Sequence, residues 1–417
     1  MSRTLLALAV AGLTTLTVLT TPVRGQVPFR EPEARYPSTG KEVPGLQPLD
    51  EAVVTMMSRH GIPGAALAVV KDGKLVFARG YGWADMDEHK QVQPDTLFGL
   101  ASLSKSITAM AVLKLVEQEK LRLDDRVFQI LNQFRPLRGA RPDPRLYQIT
   151  IRQLLNHSGG WDRQKSGDPV NWTTQIKLKL GSSANITTRS LIDYTMGMPL
   201  DFDPGTASRY CNFGYILLGE VIAKVSGRPY DKYIQDNVLK PMGITRMAIH
   251  PANGRYAANE ARRYLAGTNT ELPAWKQSYL NASGGWTASA VDLARFLCAV
   301  DGSRGKRFLD DKTFAAMIAP PPLPLKPRSD GSYVGLGWDL VNQKDKAFTY
   351  FKDGSWYGMR GFMKRKPNGV NWVLLFNASM DPDSIDGNVA LHAVREVQQA
   401  VERGEKFPDI DLFDEYR

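Results

Sequence analysis

Residues 98–117 read FGLASLSKSITAMAVLKLVE, and this stretch decides how the rest of the chain is interpreted. Its Ser102 and Lys105 stand three residues apart at the start of an apolar, helix-forming run. Side chains three apart on an α-helix share one face, so the lysine amine can reach the serine hydroxyl. A serine beside an amine is a candidate nucleophile, and a helix N-terminus favours developing negative charge.

The same spacing of serine and lysine occurs twice more, so the pattern alone does not identify a nucleophile. Ser38-Thr-Gly-Lys41 lies in a proline-rich segment, and Ser303-Arg-Gly-Lys306 lies in a glycine-containing loop. Ser102 differs from both because it follows two predicted strands and begins a helix with an apolar face. Its setting therefore makes it the preferred candidate.

Predicted strands lie at both ends of the chain, with helices between them. Ala65–Val70 and Leu75–Arg79 flank the turn signal Asp72-Gly73 and predict a hairpin. From Leu121 to Asp330 the pattern is helical and rich in loops. Later segments with a period of two predict further strands, before a closing helix over Asp386–Val401: Val334–Trp338, Phe348–Phe351, Gly361–Met363 and Asn371–Phe376. We expect an α+β protein in which terminal helices flank one antiparallel sheet and a mostly helical lobe is inserted.

The two ends of the chain predict export and set the expected boundaries. Residues 1–25 contain Arg3, an apolar run and small residues before Gln26, which is typical of a signal peptide. An uncleaved anchor is the alternative. Residues 26–48 predict an extended, proline-rich leader. The expected domain spans 49–403, with a sheet lobe (49–100 and 331–403), a helical lobe (101–330) and a tail at 404–417. The predicted location is periplasmic or secreted.

Composition narrows the classes of function. With 43% hydrophobic residues in 417, the chain can bury a large core, and its net charge of +10 is spread without a basic block. We therefore expect no nucleic-acid partner, and no stable membrane span after signal cleavage. Five scattered histidines and only Cys211 and Cys298 predict neither a metal site nor a cofactor. A single disulfide between these cysteines stays open.

Tyr210-Cys-Asn212 is the second candidate for chemistry. A tyrosine beside a lysine ammonium can be held as a phenolate and act as a base, although its usual pKa is about 10. Tyr279-Leu-Asn281 is a competing match. A buried tyrosine with a satisfied hydroxyl is the structural alternative for either residue.

Lys352-Asp-Gly354, on a predicted strand, is the third candidate. The lysine could bind a substrate carboxylate, and Gly354 would let a substrate lie close to the strand edge. Lys71-Asp-Gly73 repeats the tripeptide inside the predicted hairpin turn. A turn without catalytic function is therefore the alternative for this motif.

In this order and setting, the three motifs resemble those of the serine β-lactamase and penicillin-binding-protein superfamily, specifically the class C β-lactamase-related hydrolases. Five further segments look like framework of that family: Gly61–Gly64, Ile151–Gly159, Asp203–Gly205, Asp292–Phe296 and Gly335–Trp338. The resemblance implies a β-lactamase/transpeptidase-like fold with the site in a cleft between the sheet and the helical lobe. It also implies a structural role for His157.

The resemblance also implies a role for each site residue. Ser102 would form an acyl-enzyme, while Lys105 and Tyr210 shuttle the proton. The substrate would be bound by Asn212, Lys352 and Gly354. The backbone N–H groups of Ser102 and Ser355 would form the oxyanion hole.

Two departures from the family pattern affect the expected substrate. Cys211 stands where a small serine or alanine is common, and Asp353 replaces the threonine of Lys-Thr-Gly. An acid beside the carboxylate pocket disfavours anionic β-lactams. We therefore expect a serine hydrolase that cleaves an ester or amide in a small molecule or peptide, cell-wall fragments included. Esterase, or D-amino-acid peptidase or carboxypeptidase, is favoured over β-lactamase. The alternatives are a penicillin-binding or peptidoglycan-sensing module that acylates without efficient turnover, and a catalytically inactive interaction domain.

Overall fold

The computed structural model describes residues 36–416, except 182, 252, 275, 343–347, 380–386 and 404–405. The predicted signal peptide and residues 26–35 of the predicted leader lie outside the described residues. Ser38–Thr39 forms an edge strand that pairs with Lys74–Asp85. Tyr36, Val43 and Leu46 are buried in the core. The described end of the predicted leader is thus packed on the folded body.

The predicted hairpin forms and lies near one edge of the main sheet, next to the short strand Ser38–Thr39. Gly64–Lys71 pairs antiparallel with Lys74–Asp85. Asp72 and Gly73 take φ angles of 49° and 81°, as a two-residue turn with left-handed backbone requires. Seven of the eight residues of Gly64–Lys71 are buried, which explains why its sequence is a nearly continuous apolar run.

The main sheet continues from this hairpin to the C-terminal strands, and every neighbouring pair in it is antiparallel. Within the described residues, its path runs through Ser38–Thr39, Lys74–Asp85, Gly64–Lys71, Val370–Phe376, Met359–Arg365, Phe348–Trp356, Asp339–Asn342 and Ser332–Val334, with Lys90–Gln91 paired to Lys74–Asp85. The N-terminal hairpin therefore meets the C-terminal strands in one sheet, as the sequence predicts.

The predicted strand over Val334–Trp338 is wrong. The strands Ser332–Val334 and Asp339–Asn342 are joined by a turn, closed by a 2.9 Å hydrogen bond from Gly335 N to Trp338 O. Gly337 has a φ of 89°, and a Cβ there would lie 2.2 Å from the Ala109 Cβ. The alternation of glycine with larger residues imitates a strand, but left-handed backbone at Gly337 turns the chain.

Helices cover the sheet and form the region inserted between its strands. Gln47–His60 packs against Gly387–Glu402, and Arg59 forms an ion pair with Glu396. Ala290–Asp301 packs against the strands Gly64–Lys71 and Val370–Phe376. The other α-helices are Ser104–Glu117, Val127–Ile130, Ile151–Leu155, Thr173–Leu180, Thr188–Thr195, Phe213–Ser226, Tyr230–Ile234, Asn281–Gly284 and Asp311–Ile318. In the part of the chain that the structure describes, none of the helices has the length and apolarity needed to cross a bilayer.

The helix Ser104–Glu117, called the nucleophile helix below, is buried on nearly all sides. Side-chain hydroxyls fix it to two neighbouring segments. Ser106 Oγ donates to Gly337 O at 2.8 Å, and Thr108 Oγ1 donates to Ala282 O at 2.6 Å. Buried hydrogen bonds of this kind hold the helix in one register, which fixes the residues at its N-terminus.

Candidate active site

Ser102 lies in a single 3₁₀ turn, Ala101–Leu103, directly before the nucleophile helix. The preceding residue, Ala101, is buried and has a φ of 45°, a left-handed conformation that is uncommon for a residue with a Cβ. Backbone strain of this kind costs of order 1–3 kcal/mol and is often found at functional sites. The sharp turn presents the Ser102 side chain to a cleft instead of to the core.

The three side chains expected to be catalytic meet in the structure. Ser102 Oγ lies 2.5 Å from the Tyr210 hydroxyl and 2.9 Å from Lys105 Nζ. These contacts decide between the competing sequence matches. Of the two Tyr-x-Asn tyrosines, Tyr210 is the one bonded to Ser102.

Lys105 is positioned to act as the base. Besides contacting Ser102, its Nζ donates to Asn212 Oδ1 and to Ser283 O, both at 2.7 Å. Both of these oxygens can only accept, so a neutral amine gives them its two N–H groups and turns its lone pair to Ser102. Burial lowers the pKa of Lys105 well below its usual value, and the positive charge of Lys352 adds to this. The uncharged amine is thus more accessible than in a free lysine.

Tyr210 is favoured as a neutral phenol in the resting site. Burial raises its pKa above the usual value, and the hydrogen bond with Ser102 offsets only part of this effect. A neutral phenol can donate to Ser102 Oγ, which leaves the Ser102 proton for an uncharged Lys105. The phenolate considered from the sequence is disfavoured because it needs a lysine ammonium beside it, and burial disfavours the charge on both groups.

His157 supports the segment that carries Tyr210. Its carbonyl accepts from Arg209 N at 2.8 Å, and its Nδ1 accepts from Cys211 N at 3.3 Å. The centres of the His157 and Tyr210 rings lie 4.5 Å apart. Burial lowers the pKa of His157 well below its usual value, which keeps Nδ1 available as an acceptor. These contacts agree with the structural role that the family resemblance implies.

Both cysteines are free thiols buried in the protein. Cys211 Sγ lies 3.7 Å from Asp168 Oδ1. Burial raises the pKa of Cys211 well above its usual value, with the Asp168 charge adding to the effect, so the protonated thiol is favoured. The disulfide left open by the sequence is absent between these two residues.

Asp168 is a site residue that sequence reasoning missed. Its Oδ2 accepts from Asn212 N at 2.7 Å and from Asn212 Nδ2 at 3.0 Å, and its Oδ1 accepts from Val170 N. This fixes the Asn212 amide with its oxygen towards Lys105. Burial raises the pKa of Asp168, while the bonds from Asn212 and Val170 oppose the rise. In the sequence, Asp168-Pro169 indicates only a helix cap.

Replacing Asp168 with asparagine tests this positioning role. We expect kcat to fall roughly 10- to 100-fold, since one charged hydrogen-bond acceptor of about 1.5–3 kcal/mol is lost. The negative charge of Asp168 raises the pKa of Lys105, so its removal should shift the acid limb of the kcat/KM profile to lower pH. Steady-state kinetics across pH measures both effects. A lower kcat with an unmoved acid limb would contradict the link to Lys105.

Lys352 and Gly354, the residues predicted to bind substrate, lie on the strand Phe348–Trp356 and contact other parts of the protein. Lys352 is buried, and its Nζ donates to Asp339 Oδ2 at 2.9 Å. A Cβ on Gly354 would lie 2.4 Å from Leu100 O and 2.9 Å from Ser102 N. The glycine is therefore explained by close packing against the turn that carries the nucleophile. Contact of either residue with a substrate stays a prediction.

Asp353, the departure noted in the sequence, is also paired. Its Oδ2 lies 3.5 Å from Arg360 Nη2, and Arg360 is buried. An acid neutralised by a neighbouring guanidinium repels an anionic substrate less than a free one does. Asp353 alone is thus a weaker obstacle to anionic β-lactams than the sequence suggests.

The cleft beside Ser102 is small, with a volume of about 10 Å³, and opens to solvent. Ser355 also lines this cleft. It follows Gly354, which packs closely against Ser102 N. This brings the two expected oxyanion donors, Ser102 and Ser355, to one cleft. The lining residues are Ala101, Ser102, Asn212, Leu280, Ser283, Gly284, Ser355 and Trp356.

Replacing Gly354 with alanine should separate the strand from the nucleophile turn. The added Cβ would overlap Leu100 O, so we expect a loss of about 1–3 kcal/mol in unfolding free energy and a lower kcat. Gly214→Ala is the matched control, because a Cβ there would meet Leu154 at an ordinary 3.6 Å. Thermal melts and ester turnover measure both variants. Equal behaviour of the two would refute the packing argument.

Comparison with known proteins gives the family. A family model described as Beta-lactamase matches residues 49–395. The chain belongs to the beta-lactamase family. This agrees with the superfamily resemblance seen in the three motifs, and the α+β architecture with its main antiparallel sheet is similar to that of solved structures.

Two relatives and two solved structures illustrate the similarity. Protein flp of Staphylococcus aureus (strain N315) is 31% identical over 210 residues, which is 50% of this chain but only 39% of that protein. Penicillin-binding protein 4* of Bacillus subtilis (strain 168) is 27% identical over 75% of this chain and 67% of its own length. The octameric penicillin-binding protein homologue from Pyrococcus abyssi has a TM-score of 0.66 at 26% identity, covering 81% of this chain and 75% of that one. The D-amino acid amidase from Ochrobactrum anthropi SV3 has a TM-score of 0.66 at 22% identity, covering 86% and 98%.

Proposed function

We propose that the protein is an exported serine hydrolase that cleaves an ester or amide bond through an acyl-enzyme on Ser102. The observation that carries the proposal is the hydrogen-bonded chain from Tyr210 through Ser102 to Lys105, at 2.5 and 2.9 Å. A nucleophile within hydrogen-bond reach of a base that is itself held by further contacts is the arrangement that activates a serine.

In the proposed acylation, Ser102 Oγ attacks the carbonyl carbon while Lys105 takes its proton. The negative charge on the carbonyl oxygen is stabilised by the N–H groups of Ser102 and Ser355. As the bond to the leaving group breaks, the proton passes to that group through Tyr210, whose hydroxyl adjoins Ser102. Acyl-Ser102 and the free alcohol or amine are the products of this step.

In the proposed deacylation, water attacks the acyl carbon and the neutral amine of Lys105, which has passed its proton on during acylation, receives a water proton. The bond to Ser102 Oγ breaks, the acid leaves, and the proton returns to Ser102. The cleft is open to solvent, which gives water a path to the acyl carbon. Low turnover after acylation would instead indicate the alternative, a penicillin-binding or peptidoglycan-sensing module.

Esterase or peptidase activity is favoured over β-lactamase activity in this proposal. Asp339 neutralises Lys352, the lysine expected to bind the carboxylate of a β-lactam. The fold neighbour named as a D-amino acid amidase supports an amide among the substrates. Export to the periplasm or the medium is proposed from the N-terminal sequence alone.

Active-site labelling and turnover together test the proposal. Fluorophosphonate treatment should add one label, which peptide mapping places on Ser102 and which Ser102→Ala abolishes. A panel of 4-nitrophenyl esters, D-alanyl peptides and a chromogenic cephalosporin then identifies the substrate class. No labelling would refute both acylating functions, and a stable adduct without product release would favour the sensor.

A further inference from the structure

The cleft beside Ser102 has room for the reacting atoms of a substrate and for little else. Its volume is about 10 Å³, roughly the space that one water molecule needs. The oxygen of a carbonyl group fits such a space, but the groups attached on either side of the carbonyl do not. These groups must therefore lie against the residues at the mouth of the cleft, where it opens to solvent.

Trp356 forms part of the cleft wall on the side of the nucleophile. It is the last residue of the strand Phe348–Trp356, and it lines the cleft together with Ser355. Side chains two residues apart in a strand lie on the same face of the sheet. Gly354, two residues before Trp356, packs on that face against Ser102 N. Because Trp356 is also partly exposed, its ring offers apolar surface to a substrate bound at Ser102.

Tyr357 extends this apolar surface outwards from the cleft. The centre of its ring lies 5.4 Å from that of Trp356, and the two ring planes are inclined at 81°, an edge-to-face contact. Tyr357 is 44% exposed. Leu280, a buried residue, lines the cleft as well. Apolar side chains that are grouped at the mouth of a cleft, instead of scattered singly over the surface, are typical of a ligand-binding groove.

The turn that carries the two aromatic rings is fixed to the body of the protein. Trp356 pairs with Met359 across the turn formed by Tyr357 and Gly358. Gly358 N donates to Ser379 Oγ at 2.9 Å, and Met359 is buried. A surface that is already held in place loses little conformational freedom when a ligand binds to it. The rings are therefore prepared to contact a substrate.

We propose that the substrate carries an aromatic ring close to the scissile carbonyl and that Trp356, extended by Tyr357, binds this ring. The substrate class is an ester or amide with the ring on its acyl group or on its leaving group. Contact between two aromatic rings adds a favourable interaction to the burial of their apolar surface. The proposal rests on the serine hydrolase function proposed above and narrows its substrate class.

Three esters test the proposal. Methyl phenylacetate places the ring on the acyl group, benzyl acetate places it on the leaving group, and methyl acetate is the reference without a ring. The measured quantity is the ratio of kcat/KM for each ring ester to that for methyl acetate, with the rate of Ser102→Ala subtracted as background. Each variant is compared with the wild type, so differences in the intrinsic reactivity of the esters cancel.

Trp356→Ala should lower at least one of the two ratios by about fivefold or more, because the ring then loses its apolar contact. The ester that responds shows which side of the scissile bond carries the ring. Trp356→Phe keeps an aromatic side chain and should restore most of the ratio. A variant that only loosened the turn would slow all three esters alike and leave both ratios unchanged.

Tyr147→Ala is the matched control. Tyr147 is 46% exposed, and its ring makes an edge-to-face contact with Phe128, with the ring centres 6.3 Å apart. It does not line the cleft beside Ser102. We therefore expect its removal to change either ratio by less than about twofold, as for an ordinary surface substitution.

Two outcomes would overturn the inference. One is a fall of less than fivefold in both ratios on Trp356→Ala, and the other is an equal fall on Tyr147→Ala. If Trp356→Ala does not fold, Tyr357→Ala decides at an exposed side chain: a fall of twofold or more in one ratio supports the inference, and a smaller fall overturns it. These results leave the proposed function standing if the wild type cleaves the esters and Ser102→Ala does not. Absence of Ser102-dependent cleavage of all three esters would overturn the proposed function and, with it, this inference.

Discussion

The Ser102→Ala variant is expected to lose about 10⁵- to 10⁶-fold in kcat on any ester that the wild type cleaves. The acyl-enzyme cannot form without Oγ, and the remaining rate would come from binding and from the oxyanion donors acting on water. Steady-state hydrolysis of a 4-nitrophenyl ester measures the loss. Intact-mass analysis should show that the acylated form disappears with it.

The chain supplies its own control for this experiment. Ser303 has the same Ser-x-x-Lys spacing, but its carbonyl faces the Asp72-Gly73 turn, where it approaches Gly73. We expect Ser303→Ala to keep the wild-type kcat within about twofold, since Ser303 does not line the cleft beside Ser102. Retained acylation in Ser102→Ala would refute Ser102 as the nucleophile.

Lys105→Met should lower kcat/KM by about 10²- to 10⁴-fold, the usual contribution of a positioned general base. Methionine fills most of the space of the lysine stem without an amine. In the wild type the neutral amine is the active form, so kcat/KM should rise with pH through the lowered pKa of Lys105 and then stay level. The pH profile of the variant should lack this acid limb. A limb at the same pH in both proteins would contradict the role of Lys105 as base.

Lys105→Met should also change how the unfolding free energy depends on pH. Lys105 has a lowered pKa in the folded state, so between that pKa and the unfolded value the unfolded chain binds a proton that the folded chain does not. Wild-type stability should therefore rise with pH up to the unfolded lysine pKa of about 10.4, where this penalty ends. Lys105→Met lacks the titrating group, so its unfolding free energy should rise less between pH 7 and pH 10. Chemical denaturation at both pH values measures the difference, and equal slopes would refute a neutral Lys105.

Local sequence was enough to predict the secondary structure wherever one local preference dominated. The helix Phe213–Ser226 begins and ends as predicted because Gly227 takes the left-handed conformation, with a φ of 69°, that stops it. The Asp72-Gly73 hairpin follows from a turn that those two residues favour. The prediction failed at Gly335–Trp338, where contact of Gly337 with Ala109, far away in the chain, requires a turn.

For the site, the order of the motifs identified Ser102, Lys105 and Tyr210, because chemistry restricts which residue types can form such a group. It did not reveal their protonation, since a pKa depends on burial, which arises only when distant segments pack. Nor did it reveal Asp168, whose sequence context indicates an ordinary helix cap.

The sequence by itself determined the α+β class, the family and the three side chains proposed to react, because these follow from periodicity and from residue types at short spacings. Only the tertiary structure decided which charges are free. Asp339 pairs with Lys352 at 2.9 Å, so the charge expected to bind a substrate is already used inside the protein. The physical reason is that an ion pair depends on distance in space, and residues 339 and 352 meet only because their strands are neighbours in the sheet.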